Sequence, residues 1–234
     1  MERDSQNPKL LILETSGRVG RVAVALGADL GEVRTLDETR RHGRDLAPAV
    51  AALCASRGWA VRDLDGVVAS IGPGSYTGLR VGLMSAKALA FATGCVVLGI
   101  ETFAAIARQT PVDVDRVAVI ADAQQQQVYE QTWRRDVNRW VADAPLAIRP
   151  FADWLAGLPD SIRVSGPAVR LYEGRFTDRN PCVPLEFRDP LPASLLQLGL
   201  ERWRAGEADD VDALEPLYLR PSNAEENWDK RNSV

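Results

Sequence analysis

The sequence predicts a layered α/β fold built on a mixed sheet, followed by a smaller second copy of the same plan. Three observations carry this reading. Elements in the order β-β-β-α-β-α-β-α fill the chain from Leu10 to about Gln109. The pattern then breaks at Pro111–Asp115. Beyond the break an apolar strand again ends in an acidic residue and leads into alternating strands, so Asp122 repeats the place of Glu14. An internal duplication with a shrunken second copy accounts for all three.

The elements follow in order. Leu10–Glu14 is a short apolar run ending in turn residues, which reads as a buried strand. Val19–Gly27 alternates, with Val22, Val24 and Leu26 on one face, and Glu32–Leu36 continues the alternation. Gly17, Arg18 and the stretch Gly27–Gly31 supply turns, so the three strands read as an antiparallel meander. Asp45–Arg57 is helical by the spacing of Leu46, Val50, Leu53 and Cys54, with Asp45 as cap, Pro48 in the first turn and Gly58 as stop. Gly66–Ile71 is apolar on both faces, which predicts a central, parallel strand. A helix runs from Tyr76 to about Thr93, with Ser75 placed to cap it and Gly94 to end it. Val96–Ile100 is a further buried strand, and Thr102 to about Gln109 a short helix.

The second half carries a thinner signal. Val117–Ala121 is an apolar strand ending at Asp122, Gln126–Arg134 alternates, and Arg139–Ala142 supplies a third strand. Helices are expected near Phe151–Ala156 and from about Ala193 to Ala205, with short strands at Ile162–Val164 and Leu217–Arg220. The domain reading is therefore a first lobe over residues 9–110, a reduced second lobe over 111–220 whose helix near 193–205 packs back on the first, and a polar tail at 221–234.

Composition narrows the function classes. The 234 residues are 46% hydrophobic and 26% charged, which excludes wholesale disorder. A net charge of −4 provides no global positive field toward nucleic acid. Cys54, Cys95 and Cys182 form no CxxC, against a disulfide scaffold or zinc ribbon. The opening Met1–Lys9 is polar and lacks an apolar h-region, and no apolar run approaches ~18 residues, so a cytoplasmic chain off the membrane is expected. His42 is the sole histidine, so no HExxH or HxxxH metal site can form, and a Ser-His-Asp triad would have to use His42.

Four features bear on chemistry. Gly72-Pro73-Gly74-Ser75-Tyr76-Thr77-Gly78 joins a strand to a helix N-terminus, where free N–H groups suit a phosphate; a tight turn explains the same residues. It is not a Walker A loop, since no Gly-Lys-[Ser/Thr] follows. Glu14-Thr15-Ser16 and Asp122 end strands, where a carboxylate either orients a metal-bound nucleotide or bonds its own turn. Arg34, Arg40, Arg41 and Arg44 are a basic cluster, open to a phosphate backbone or simply solvated. Gly78, Gly82, Ala86 and Ala90 make a small-residue stripe at spacing four, suited either to a partner helix or to the protein's own sheet.

Taken together the motifs resemble the TsaB family, formerly YeaZ. Ile71-Gly-Pro-Gly-Ser-Tyr-Thr-Gly-Leu-Arg-Val-Gly82 is similar to its GPGSFTGxRxG signature. Leu11-Ile-Leu-Glu-Thr-Ser16, Arg41-His42 with Leu46 and Pro48, Asp122-Ala123 with Val128-Tyr129, and Pro216-Leu-Tyr-Leu-Arg220 resemble further family elements, in order along the chain. The resemblance implies a two-lobed fold of the actin, Hsp70 and sugar-kinase (ribonuclease H-like) type. It implies a non-catalytic partner in making threonylcarbamoyladenosine in tRNA, at the adenosine beside the anticodon. The implied partners are a TsaD-like catalytic subunit and a TsaE-like ATPase, with a homodimer when the chain is alone and tRNA met only through the complex.

The resemblance also implies a partner surface on the first two helices of the first lobe. Carried over, it takes in His42, Leu46, Val50, Leu53, Gly78, Leu79, Gly82, Leu83 and Ala86. No intrinsic cofactor or metal is expected. The alternative is a small ATPase or kinase holding ATP or ADP with Mg through Glu14, Thr15, Gly72, Gly74, Ser75, Thr77 and Asp122, at low affinity or at a complex interface. A glycoprotease-type metallopeptidase is disfavoured by the lone histidine, since Leu46 stands where the second histidine of HxxxH would fall. The chain departs from the family pattern at Glu14 (for Asp), Gly43 (for Ser) and Gln124 (for Arg).

Overall fold

Leu10 to Leu13 are all fully buried, although a strand turns successive side chains to opposite faces. Both faces of the first sheet must therefore be covered. The computed structural model, which describes residues 6–36, 42–137 and 139–219 without the side chains of residues 42 and 43, shows by what. Strands β1 (Lys9–Glu14), β2 (Arg21–Leu26) and β3 (Asp29–Thr35) form the expected antiparallel meander. β4 (Gly66–Gly72) joins β1 in parallel, and β5 (Val96–Glu101) joins β4 in parallel, giving the order β3-β2-β1-β4-β5.

Helices α1 (His42–Ser56) and α2 (Tyr76–Thr93) cover one face, where Leu46, Leu53 and Ala86 meet Leu11, Leu13 and Val67. The opposite face is closed by α3 (Thr102–Gln109) together with a helix from the far end of the chain, Pro192–Arg204. Leu195, Leu196 and Leu200 of that helix pack on Leu10, Ile12, Val68 and Leu98, and Gly199 lies against Val68. Each leucine so buried contributes roughly 1.5–3 kcal/mol, so the second half of the chain completes the core of the first.

The second sheet contains β6 (Arg116–Asp122), β7 (Gln127–Asp136), β8 (Arg139–Ala142), β9 (Ala147–Pro150) and β10 (Arg163–Ser165), with α4 (Phe151–Gly157) beside it. The helix Pro192–Arg204 is thus α5. The path β10-β6-β7-β8 repeats β4-β1-β2-β3 in order and sense: β10 is parallel to β6, and β6, β7 and β8 are successively antiparallel. No counterpart of β5 is present among the described residues, and β9 pairs instead with the start of β7. This is the duplicated plan with one strand lost.

Four local expectations are corrected. α1 begins at His42 rather than Asp45, which puts Asp45 inside the first turn, where its charge favours the helix dipole, and puts Pro48 in the interior. There Pro48 costs the helix one backbone donor. β3 begins at Asp29 rather than Glu32, because Gly27 reverses the chain at once with φ of 54°. β9 is an addition to the expected strands; its four residues have too little alternation to register. Leu217–Leu219 are irregular rather than a strand: Pro216 lacks a donor, and the segment meets the sheet through the bond from Leu217 N–H to Ile71 C=O (2.8 Å). Arg220 and the tail 221–234 lie outside the described residues, as do Arg40 and Arg41.

Candidate partner interface

Six of the seven residues expected around a phosphate do converge. Glu14 ends β1 and Thr15 follows it, Gly72 ends β4, Gly74 and Ser75 lead into α2, and Thr77 lies in its first turn. The loop is tied to the β1–β2 turn and to its own helix. Ser75 N–H donates to Ser16 C=O (2.7 Å), Gly78 N–H to the Ser75 side-chain oxygen (3.2 Å), and Leu79 N–H to Ser75 C=O (2.8 Å). A Cβ at Gly74 would run into Ser16, and one at Gly78 into the Thr15 carbonyl. The glycines thus admit the close approach of the β1–β2 turn. Ser75 caps α2 and Gly94 closes it in the left-handed conformation (φ 71°), as expected.

Glu14 is the most perturbed group here. It is wholly buried; Oε1 accepts from the Ser16 N–H (2.8 Å) and the Ser16 hydroxyl, while Oε2 has no hydrogen-bond partner. Burial pushes its carboxyl from the usual 4.5 up to about 7, against the pull of Ser16, the Arg21 charge and Ser70. The seventh residue, Asp122, stands exposed in the second lobe and accepts the Gln124 N–H (2.7 Å). Its charge is felt at Tyr172, whose phenol is raised chiefly by burial and further by Asp122. Both carboxylates therefore bond their own turns.

The residues expected to meet a partner lie mostly beneath the surface of the chain. Leu46, Val50, Leu53, Gly78, Leu79, Gly82, Leu83 and Ala86 are all buried in the first lobe. Gly82 is needed because the Thr15 side-chain oxygen points at it and a Cβ there would collide. The small-residue stripe of α2 is thus a seam with the protein's own β1, because the apolar period of a surface helix turns toward its sheet. The side chain of His42 lies outside the described residues; its backbone opens α1.

The outward faces of the same two helices are poor in charge. On α1 the exposed row is Ala47, Ala51 and Ala55, with Pro48 beside it, and no charged residue occurs from Ala47 to Ser56. On α2 the exposed row is Arg80, Met84, Ala88 and Phe91. Met84 is 61% exposed and Phe91 93%. Between the helices Val61, Ala88 and Leu89, over Leu46 and Val50, line a groove of about 310 Å³. A helix face with alanines where solvated helices carry charge, beside two large exposed apolar side chains, is an exposed apolar patch of the kind that marks interaction sites. Alanines spaced by four let another helix approach closely, and Met84 and Phe91 supply the apolar area. The sequence does hold a signal for it: a second small stripe at spacing four, on α1.

Two sheets of the same strand plan, each with a carboxylate ending its first strand, define a two-lobed protein of the actin and Hsp70 class, and its exposed feature is a helix face. Comparison with known proteins places it more closely. The family model described as TsaD, tRNA N6-adenosine threonylcarbamoyltransferase, matches residues 30–162. The tRNA threonylcarbamoyladenosine biosynthesis protein TsaB of Bacillus subtilis is 31% identical, over 81% of this chain and 84% of its own. An uncharacterized protein of Mycobacterium tuberculosis is 34% identical, over 83% of this chain and 82% of its own. The solved structure of YeaZ from Pseudomonas aeruginosa superposes with a TM-score of 0.75 at 24% identity, covering 91% of this chain and 100% of that one. The chain belongs to the TsaB (YeaZ) family.

Proposed function

We propose that this chain is a non-catalytic subunit in the formation of threonylcarbamoyladenosine in tRNA, and that it acts by docking a TsaD-like catalytic subunit on the outer faces of α1 and α2. The observation that carries the docking site is the uncharged row Ala47, Ala51 and Ala55 beside exposed Met84 and Phe91. Burying those two side chains contributes roughly 1.5–3 kcal/mol each. Without the catalytic subunit, a second copy of the chain meets the same need, which is a reason for a homodimer. A TsaE-like ATPase and tRNA then enter through the complex, in the cytoplasm. No helix among the described residues is long and apolar enough to cross a membrane.

A role without bond chemistry suits the site. The strand-end carboxylates of both lobes are engaged by their own turns, and the loop before α2 gives its Ser75 amide to Ser16. The test is light scattering after size exclusion, on this chain alone and mixed with the TsaD relative from the same organism. A one-to-one complex that Ala51→Glu abolishes is expected. Absence of a complex, with or without nucleotide, overturns the partner role; a complex indifferent to Ala51→Glu overturns the assigned face.

A further inference from the structure

After α5 the chain runs back along the first lobe, and none of residues 204–219 is buried. Val211 and Leu214 only lean on its core. A segment with so little apolar burial depends on its polar ties, and these concentrate on one strand edge. β5 ends the first sheet, so one row of its backbone groups faces no strand. Asp209 N–H donates to Val97 C=O (2.9 Å), Gly99 N–H donates to Asp209 Oδ2 (2.6 Å), and Arg202 Nη1 donates to Gly99 C=O (2.9 Å).

The Arg202 guanidinium also grips the Asp209 carboxylate through both terminal nitrogens (2.8 and 3.0 Å) and Glu207 through Nε (2.8 Å). One residue pair thus satisfies the edge and fastens the segment to α5 by a fork of two charge-assisted bonds. Downstream the segment is tied to α2, where Lys87 Nζ donates to Asp212 C=O (3.4 Å) and the Tyr218 ring lies 4.8 Å from that of Tyr76. Leu217 N–H donates to Ile71 C=O (2.8 Å), and Arg80 Nε donates to the Tyr218 hydroxyl (2.9 Å), with the guanidinium 4.2 Å from the Tyr76 ring centre. Beneath the segment lie the bare backbones of Gly72 and Gly99, against Leu217 and Leu214.

We propose that residues 205–218 form a latch which opens as one unit while both lobes stay folded, and that the Arg202–Asp209 pair is its catch. Closed, it covers the β5 edge and pins Tyr218 on the start of α2. Open, it bares Val97 C=O and the Gly99 N–H, and parts Tyr218 from Tyr76 and Arg80, while Arg202 stays with α5. The catch sits at one end and the tyrosine contact at the other, so loss of the first releases the whole segment. The inference concerns the chain alone and stands whatever docks on α1 and α2.

Native-state amide exchange by NMR on the full chain tests it, with Asp209→Asn as the variant and Arg202→Lys, which keeps the charge but not the fork, as the second. In Asp209→Asn the amides of Gly99 and Leu217 are expected to exchange roughly tenfold faster or more, and together. The amides of Leu11, Ile12 and Val68 are expected to keep their protection. Arg202→Lys is expected to accelerate the same two amides by less. The proposal is overturned if Gly99 is no faster in Asp209→Asn, if Leu217 does not follow Gly99, or if Leu11 and Val68 accelerate equally, which would make the pair part of the lobe's core.

Discussion

Glu14 and Asp122 hold the same position in the two halves of this protein, yet only one is exposed. Each ends the first strand of its sheet, and each accepts the backbone N–H two residues on, from Ser16 at 2.8 Å and from Gln124 at 2.7 Å. Around Glu14 the first lobe closes completely, because the loop before α2 folds over the β1–β2 turn. Around Asp122 the reduced lobe leaves the carboxylate to solvent, and the turn that follows holds Gln124, Gln125 and Gln126 at positive φ. The duplication kept the hydrogen bond and changed its surroundings.

That difference predicts a pH dependence. Glu14 has its carboxyl raised in the folded state, from 4.5 to about 7. Between those values the folded chain holds a proton that the unfolded chain has lost, so stability falls as pH rises through this window and levels off above it. The loss is on the order of 3 kcal/mol. Urea unfolding from about pH 5 to about pH 8 should show the decline, and Glu14→Gln should flatten it. An unchanged slope in the variant would place the titration elsewhere.

The seam between α2 and β1 predicts a coupled pair. Gly82→Ala forces a Cβ onto the Thr15 side-chain oxygen and should cost roughly 1–3 kcal/mol in chemical denaturation. Thr15→Ala removes that oxygen, which has no hydrogen-bond partner. The double variant should therefore be more stable than the sum of the two single losses, by at least about 0.5 kcal/mol. Strict additivity would show that the two residues do not press on each other.

The outer faces predict the opposite pattern. Met84→Glu and Phe91→Ser alter exposed side chains and should leave stability within about 0.5 kcal/mol. Both should weaken association with a second copy or a TsaD-like partner, read by light scattering and calorimetric titration. Loss of stability matching the loss of association would return these residues to the core.

The engagement of the Ser75 amide by Ser16 and of Glu14 by its own turn predicts that nucleotide adds little to the chain alone. Titration with ATP and Mg should give millimolar binding or none, unaffected by Asp122→Ala. Micromolar binding lost in that variant would revive the ATPase or kinase alternative. Ser75→Ala should instead cost about 1 kcal/mol of stability, as the loss of a helix cap does.

Local patterning carries much of this fold. The meander of β1 to β3, the parallel β4, the cap Ser75 and stop Gly94, and the repeat of Glu14 in Asp122 all follow from it, because strand and helix periods and turn chemistry act within a few residues. Which helix face looks outward was not legible. Gly78, Gly82 and Ala86 form a small stripe, and so do Ala47, Ala51 and Ala55; the packing of β1 under α2 buries the first and leaves the second to solvent. The sequence expects the helix near 193–205 against the first lobe, but its seat on Leu10 and Ile12, and the hold of Asp209 on the β5 edge, follow only from tertiary packing. Spacing states that two residues share a side of one element; what lies against that side depends on elements far away along the chain, as α5 does for β1.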